Sequence, residues 1–474
     1  MNKPEQGTMR PAAWADFDQI TAAAMDDPHT MLRELTSPVP QHARGVGRDT
    51  EFLNRKPNRH YAFGFGAHRC LGANLARVEL QVLIQEVLRR LPDYQVVPAE
   101  VVRYPGLNRG MSGPGARFTP GYLVMATGNL TVGKRPDFKG LDSFRGRWVL
   151  SNDSAHYTFP ARNHPLTPDD QRETQSASEL REVFCALPGA TRMPVPTRPF
   201  SDYTPEEAAV LEKQWDSGGQ AIMFRFADQS RNTEAAEYVS GFVRDKIRGR
   251  VPDQDLAESL IPSYPLGVKR IALESHFYET LQRDDVTLVN LKKEPLVEVT
   301  ETGIRTEAGL YEVDLIIFAI GFAAFNGALD SAGIVNEAGE RPTDQWSRGP
   351  RTLLGLMTPG FPNMFVPTGP GSPSVIANLI VQNEFALDWI GDLIAYADRN
   401  GYRSIEPTEE AVDAWVDEGY KVSEKSIRRL HDNYMVKVND DGTRILIPYA
   451  GGFRAYVAEC RRIAESCYKE LHFR

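Results

Sequence analysis

Three short strings hold the residue types that can do chemistry. Phe63-Gly64-Phe65-Gly66-Ala67-His68-Arg69-Cys70-Leu71-Gly72 puts a cysteine where apolar residues begin to recur at helical spacing, at Leu71, Leu75, Val78, Leu83, Val87 and Leu91. A thiolate there is stabilised by the positive end of the following helix and could ligate haem iron, and glycines let the backbone approach a flat ligand. The alternative is a buried free cysteine in a glycine turn. Lys269-Arg270 sets two cations side by side. A guanidinium stays protonated at any working pH and can hold a permanent charge beside a developing anion, although such a pair by itself is ordinary surface chemistry. Gly369-Pro370-Gly371-Ser372 precedes a helix that the apolar spacing starts near Val375 and Gly401 ends. Such a turn either points a helix N-terminus at negative charge or simply lets a helix pack closely on a sheet.

The elements around these strings change character along the chain. Residues 1–60 are rich in Pro, Arg and Asp, and the helix predicted over 71–91 is closed by Pro92. Residues 104–120, with four glycines and three prolines and no periodicity, read as irregular chain and as the main boundary. A short strand is predicted at Tyr122–Ala126 and helices across Pro205–Arg250. Strands are expected in 286–291, 296–300, a hairpin around 303–309, and the apolar run Val313–Phe322, the last as a central strand covered on both faces. Met364–Val366, the glycine turn and the helix after it follow strand–turn–helix order, which is α/β grammar.

The chain has 474 residues, room for roughly two to four domains, with 54 Lys and Arg against 63 Asp and Glu for a net charge of −9. That acidic balance argues against nucleic acid as a partner. Four cysteines (70, 185, 460, 467) are too scattered for a disulfide framework, and Cys460 and Cys467 read as packed thiols. The histidines other than His60 and His68 show no metal-ligand spacing. The longest apolar run, Leu315–Phe325, is too short for a membrane span, and the first twenty residues have no apolar signal core. A cytoplasmic protein is expected.

The string at 63–72, continued by Asn74-Leu75-Ala76-Arg77 and preceded by Arg55-Lys56-Pro57-Asn58-Arg59-His60, resembles the haem-cysteine loop of cytochrome P450. The resemblance implies Cys70 as the iron ligand, with His60 and His68 facing the haem propionates. It runs over residues 17–39 and 48–120. The oxygen-activating helix and the Glu-x-x-Arg helix of that family have no counterpart between Val39 and Arg48, so a haem would lack its opposing wall.

From Tyr122 onward the chain resembles the flavin-dependent Baeyer–Villiger monooxygenases of the cyclohexanone and phenylacetone type. The likeness is carried by Leu123–Leu130, Pro136–Gly146, Phe159–Leu166, Tyr264–Arg270, Asp314–Phe322, Gly349–Pro373 and Gly451-Gly452-Phe453. It implies FAD and NADPH as cofactors, a small ketone as substrate, and addition of a flavin-borne peroxide to the ketone carbonyl. Arg270 matches the active-site arginine that keeps the peroxide anionic, and Lys269 the residue that contacts the nicotinamide cofactor's phosphate. By the same resemblance Thr127 and Gly128 lie in a cofactor-binding linker, and Gly369, Gly371 and Ser372 face the flavin.

Several parts of that family are absent. No Gly-x-Gly-x-x-Gly turn, the seat for a dinucleotide pyrophosphate, occurs in the 474 residues, whereas the family uses two. The family fingerprint starts at Phe144 and Gly146, then meets Leu150 where a histidine belongs. Ile320 stands for a threonine in the second linker, and Asn433-Tyr434 for Trp-Tyr. Loss of a first βαβ unit should leave strands such as Leu315–Phe318 with exposed apolar faces and unpaired edges. The expected fold is α/β: an incomplete two-dinucleotide-domain flavoprotein with a helical insert over 121–474, preceded by a mainly α P450-like fragment over 1–120. The expected function is Baeyer–Villiger oxygenation, with a complementing subunit as a possible partner. The alternatives are a non-catalytic mosaic of two monooxygenases and a haem-thiolate protein through Cys70.

Overall fold

The computed structural model describes residues 102–103, 111–112, 121–128, 132–134, 136–150, 157–161, 182–191 and 195–474. Cys70, His60, His68 and the helix predicted over 71–91 lie outside the described residues. By contacts the chain divides into Met1–Arg117 and Phe118–Arg474. In the first unit, strands β1 (Val102–Arg103) and β2 (Met111–Ser112) pair antiparallel, with Val102 opposite Ser112. Met111–Ser112 therefore forms a ladder inside a stretch expected to be irregular.

The second unit begins with β3 (Leu123–Val124), β4 (Arg147–Leu150) and β5 (Thr158–Pro160), followed by helices α1 (Glu207–Ser217), α2 (Thr233–Arg250) and α3 (Gln254–Leu260). The helical stretch predicted over 205–250 is thus real but divided, since Gly218 and Gly219 both take positive φ and end α1. Helix α2 starts where Asn232 Oδ1 accepts the N–H groups of Glu234 (3.0 Å) and Ala235 (3.3 Å). Its Ala235, Val239, Val243 and Ile247 share one face and pack with Tyr157, Phe159, Leu211, Leu266 and Tyr278 into the core of the helical insert.

Strand β6 (Ala272–Glu274) pairs parallel with β5, and α4 (Phe277–Leu281) follows it. Strands β7 (Leu296–Val299), β8 (Gly303–Thr306) and β9 (Leu310–Glu312) form an antiparallel meander, so the hairpin around 303–309 is as expected. Residues 286–291 form no strand: Leu288 and Leu291 are exposed, and no described strand lies beside them to complete a ladder.

Strand β10 (Leu315–Phe318) departs from the expectation of a central strand covered on both faces. Among the described residues it pairs parallel with β4 alone, and its side chains alternate: Ile316 and Phe318 are buried, while Leu315 is 47% and Ile317 58% exposed. The apolar run is continuous in sequence, but among the described residues only one face packs into a core. The same holds for β3, whose Leu123 and Val124 are exposed although it pairs parallel with β11 (Met364–Phe365). Among the described residues no sheet exceeds three strands. The exposed apolar faces expected from a missing βαβ unit are present at Leu123, Val124, Leu315 and Ile317.

Two short helices, α5 (Gly327–Ala332) and α6 (Pro342–Gln345), lead to the C-terminal part. There α7 (Leu379–Arg399), β12 (Ile405–Pro407), α8 (Glu409–Ser423), α9 (Ile427–Leu430), β13 (Val436–Val438), β14 (Arg444–Leu446), α10 (Phe453–Glu465) and β15 (Leu471–Phe473) follow in order. Phe365, Trp389, Leu393, Ile405, Phe453 and Tyr456 belong to its core. Among the described residues no helix is long and apolar enough to cross a membrane.

If the β10 face is open in solution, Ile317→Glu should change the unfolding free energy in urea by less than about 0.5 kcal/mol and lower light scattering from self-association. A loss of several kcal/mol would show that the face is covered.

Candidate active site

The loop that carries Lys269-Arg270 is pinned from three sides. Leu266 N–H donates to Ser240 Oγ on α2 (2.8 Å), and Tyr157 Oη donates to the Tyr264 carbonyl (3.0 Å). Gly267 takes φ +98°, and a Cβ there would lie 3.3 Å from Ile427 Cδ1 on α9. Pro265, Leu266, Gly267 and Val268 are buried, which fixes the backbone just before the two cations. Lys269 Nζ sits 5.0 Å from the centroid of the Tyr264 ring, a cation–π contact that orients it. Arg270 is exposed at the entrance to β6.

The loop's other neighbour is the segment around α9. Asn433 Nδ2 donates to the carbonyls of Arg428 (2.8 Å) and His431 (2.9 Å), and its Oδ1 accepts the Met435 N–H (2.9 Å). The asparagine that stands for a tryptophan thus ties the chain after α9 to itself. Arg428, next to it, lies deep in the chain with part of its surface open. Burial lowers its pKa, the nearby Tyr434 opposes that shift, and the charge of Arg270 adds to it.

The glycine turn is a second, separately built feature. Gly369 N–H donates to Val366 O (3.1 Å), Gly371 N–H to Ile447 O (3.0 Å) and Ser372 N–H to Gly369 O (3.1 Å). Thr352 Oγ1 donates to Pro370 O (2.8 Å) and the Trp415 indole N–H to Gly371 O (3.0 Å). A Cβ on Gly371, which has φ +89°, would lie 2.6 Å from Thr352 Oγ1, and one on Gly369 2.5 Å from Gly355 O. Gly369 is therefore required by close approach of the Gly355 backbone, and Gly371 by its positive φ and the Thr352 hydroxyl beside it. The helix expected from Val375 is interrupted: Ser374–Ile376 make a single 3₁₀ turn, Ala377 is extended, and Asn378 Oδ1 caps α7 by accepting the Ile380 N–H (3.1 Å).

Thr127 and Gly128 follow β3, with Thr127 half-buried and Gly128 at φ +74°. The chain just beyond them meets the second linker: Gly133 bridges Phe322, Lys134 N–H donates to Gly321 O (2.9 Å), and Ala323 N–H to Val132 O (2.8 Å). Phe144 is buried, and a Cβ on Gly146 would lie 2.5 Å from Asp314 O, so this surviving piece of the fingerprint serves the junction of β4 and β10.

A cytochrome P450 family profile matches residues 47–98. The chain is 30% identical over 403 residues to a 2-oxo-Δ3-4,5,5-trimethylcyclopentenylacetyl-CoA monooxygenase of Pseudomonas putida, covering 73% of this chain and 74% of that protein. It is 30% identical to a Baeyer–Villiger monooxygenase of Pseudooceanicola batsensis, covering 77% and 75%. The solved structure of OTEMO in complex with FAD and NADP superposes with a TM-score of 0.73 at 26% identity, over 84% of this chain and 85% of that one. The chain belongs to the Baeyer–Villiger monooxygenase family.

For a Baeyer–Villiger monooxygenase the cofactor fit is partial. The described residues bring together the two linkers and pack the Gly369–Ser372 turn beside β11, where the resemblance places the flavin ring. They supply no glycine turn for a pyrophosphate, and the N–H groups of residues 369, 371 and 372 are already used within the protein. The buried Gln382, whose Nε2 donates to Ser372 Oγ (3.1 Å), leaves its Oε1 without a partner, so the turn retains one unused acceptor.

Sequence reasoning passed over two features. Ile427 carries no motif, and only the fold packs it against Gly267 and Val268 of the arginine loop. A cavity of about 310 Å³ lies against Gly371, lined by Pro350, Trp415, Tyr420, Ile445, Ile447 and Tyr449. Trp415 and Tyr449 stack there with centroids 4.6 Å apart, and burial is the main reason that the Tyr449 hydroxyl is pushed up to about 12. Aromatic residues 34 positions apart in sequence give no local signal of such a wall.

Gly371→Ala should destabilise the protein by about 2–4 kcal/mol in denaturant melts, from backbone strain plus displacement of the Thr352 hydrogen bond. Thiol labelling of the native protein, read by peptide mass spectrometry, should modify the exposed Cys467 and spare Cys185 and Cys460 until denaturant is added. Burial pushes the Cys460 thiol up, which suppresses the reactive thiolate further.

Proposed function

We propose that this chain acts as an FAD- and NADPH-dependent Baeyer–Villiger monooxygenase on a small ketone, with Arg270 as the permanent positive charge at the reacting centre. The observation that carries the reading is the Tyr264–Arg270 loop. Its backbone is buried and held by Ser240, Tyr157 and α9, and its guanidinium emerges exposed with no described carboxylate paired to it. Such a charge stabilises an anionic oxygen nucleophile or the adduct it forms with a carbonyl, without a proton to lose. Bound FAD, reduced by NADPH, supplies the oxygen-activating chemistry. Lys269, oriented over Tyr264, is placed to receive the cofactor's phosphate as a point charge. Thr127, Gly128, Gly369, Gly371 and Ser372 complete the proposed flavin contacts. With its N–H groups engaged, the glycine turn contributes shape there rather than hydrogen-bond donors.

The proposed division is a P450-like fragment over 1–120 and the Baeyer–Villiger region over 121–474, with a complementing chain as the partner that would cover the open edges. A second reading, a non-catalytic mosaic of two monooxygenases, is favoured by the exposed Leu315 and Ile317 and by the missing glycine fingerprints. It treats the cysteine loop with Cys70, His60 and His68 as a remnant without haem.

The visible spectrum after incubation with excess FAD and gel filtration separates the two. Flavin bands near one per chain, with ketone-dependent NADPH oxidation that Arg270→Ala reduces at least about a hundredfold, support the enzyme. A colourless chain overturns it and leaves the mosaic.

A further inference from the structure

We propose that the cavity between α8 and β14 is a second small-molecule site, which takes a neutral aromatic compound of one or two fused rings. At about 310 Å³ it has the size of a ligand pocket. It does not depend on the flavin reading. Of the residues proposed around the flavin and the ketone only Gly371 lines it, while Thr127, Gly128, Lys269, Arg270, Gly369 and Ser372 do not.

The cavity exists because α8 carries a glycine on its packed face. Val412, Trp415 and Ser423 are buried at helical spacing, and Gly419 falls in the same series, one turn from each of the last two. Glycine is a poor helix former, so its place here is not explained by the helix itself. A Cβ added to Gly419 meets nothing within 4 Å, although the residue lines the cavity. A side chain is missing from a packed face, and the space it would fill is open. Pro350, Ile445 and Ile447 close that space from other segments.

Three aromatic rings line the cavity. Trp415 and Tyr449 stack with centroids 4.6 Å apart, and Tyr420 is steadied by the Arg429 guanidinium 4.1 Å from its centroid. A flat aromatic guest gains offset or edge contacts with such rings beyond plain burial, which an alicyclic one does not. The polar lining is already committed. The Trp415 indole N–H donates to Gly371 O (3.0 Å), Thr352 Oγ1 to Pro370 O (2.8 Å) and Ser423 Oγ to Tyr420 O (3.0 Å). Both arginines of the lining are ion-paired, Arg348 with Asp441, and Arg351 with Glu409 (2.7 Å) and Asp413 (2.8 Å). An ionised guest would shed water there without gaining a counter-charge, so the guest is neutral. A ring compound has no such cost, and apolar cavities accept aromatic molecules readily.

The test is calorimetric titration of the full chain with indole and with indole-3-acetate, repeated in excess FAD and in excess cyclohexanone. One indole per chain should bind with a Kd below about 1 mM, and the acid at least about tenfold more weakly. Gly419→Leu, which fills the cavity and improves the helix, should weaken indole binding at least about tenfold without lowering the melting temperature. Gly241→Leu, at an equally open glycine of α2 outside the lining, should bind indole as the natural chain does. Irradiation of the natural chain with 5-azidoindole should label peptides that hold residues 415–423 or 445–449, a reading that needs no substitution and decides alone if Gly419→Leu melts early. Absence of indole binding, equal affinity for the acid, or undiminished binding by a folded Gly419→Leu chain overturns the proposal. So does labelling confined to other peptides, or displacement of indole by FAD or cyclohexanone, which assigns the cavity to the flavin or ketone site.

Discussion

The close approach of two backbone segments at Gly355 and Gly369–Gly371 governs the C-terminal half of the molecule. Gly355, at φ +68°, faces Ser372, and Gly369 faces the Gly355 carbonyl, so neither segment tolerates a side chain on the side of the other. Leu354, Thr368 and Ser374 also take positive φ without being glycine. Such conformations persist only where surrounding contacts over-determine them. Those contacts are visible: the Trp415 indole bonds to Gly371 O, Tyr449 N–H to Ser372 O (2.8 Å) and Tyr456 Oη to Leu354 O (2.9 Å). Helices α8 and α10 are thereby locked onto the turn, and β11 with α7 follow from it.

The sheets obey a different constraint. A parallel sheet is normally buried on both faces by crossover helices. Among the described residues β3–β11 and β4–β10 are each two strands wide, and each has apolar residues facing solvent. The remaining parts still pack locally: Phe318 stacks on Phe138 at 5.5 Å, and Val299 and Leu141 close the buried side of β10. Among the described residues the region keeps one core face. A chain of the Baeyer–Villiger family thus retains its glycine turn and its arginine loop without a Gly-x-Gly-x-x-Gly string.

The arginine loop depends on neither sheet feature. Its rigidity comes from the helical insert, through Ser240 on α2, and from α9, whose Ile427 packs against Val268. The charged end of the site is thus supported by a core separate from that of the glycine turn. Replacement of a tryptophan by Asn433 at the end of α9 is absorbed by hydrogen bonds to Arg428 and His431 rather than by packing. The segment holds its course by polar contacts.

The sequence by itself determined the family, through ordered motifs from Leu123 to Phe453, and with it Arg270, Lys269 and the glycine turn as the residues to watch. It also determined what is missing, because a Gly-x-Gly-x-x-Gly turn is a local pattern whose absence can be read directly. Local spacing placed α2, α7 and the β8–β9 hairpin, since capping residues and amphipathic period act within a few residues. It misjudged 286–291 and the coverage of β10, because a strand's state depends on partners distant in the chain. Only the tertiary structure decided that the glycines of the turn answer to Thr352 and Gly355, that α7 begins at Leu379 behind an Asn378 cap, and that Ile427 packs on the arginine loop at Gly267 and Val268. Those outcomes are set by contacts between segments up to about 160 residues apart, for which no period or motif exists.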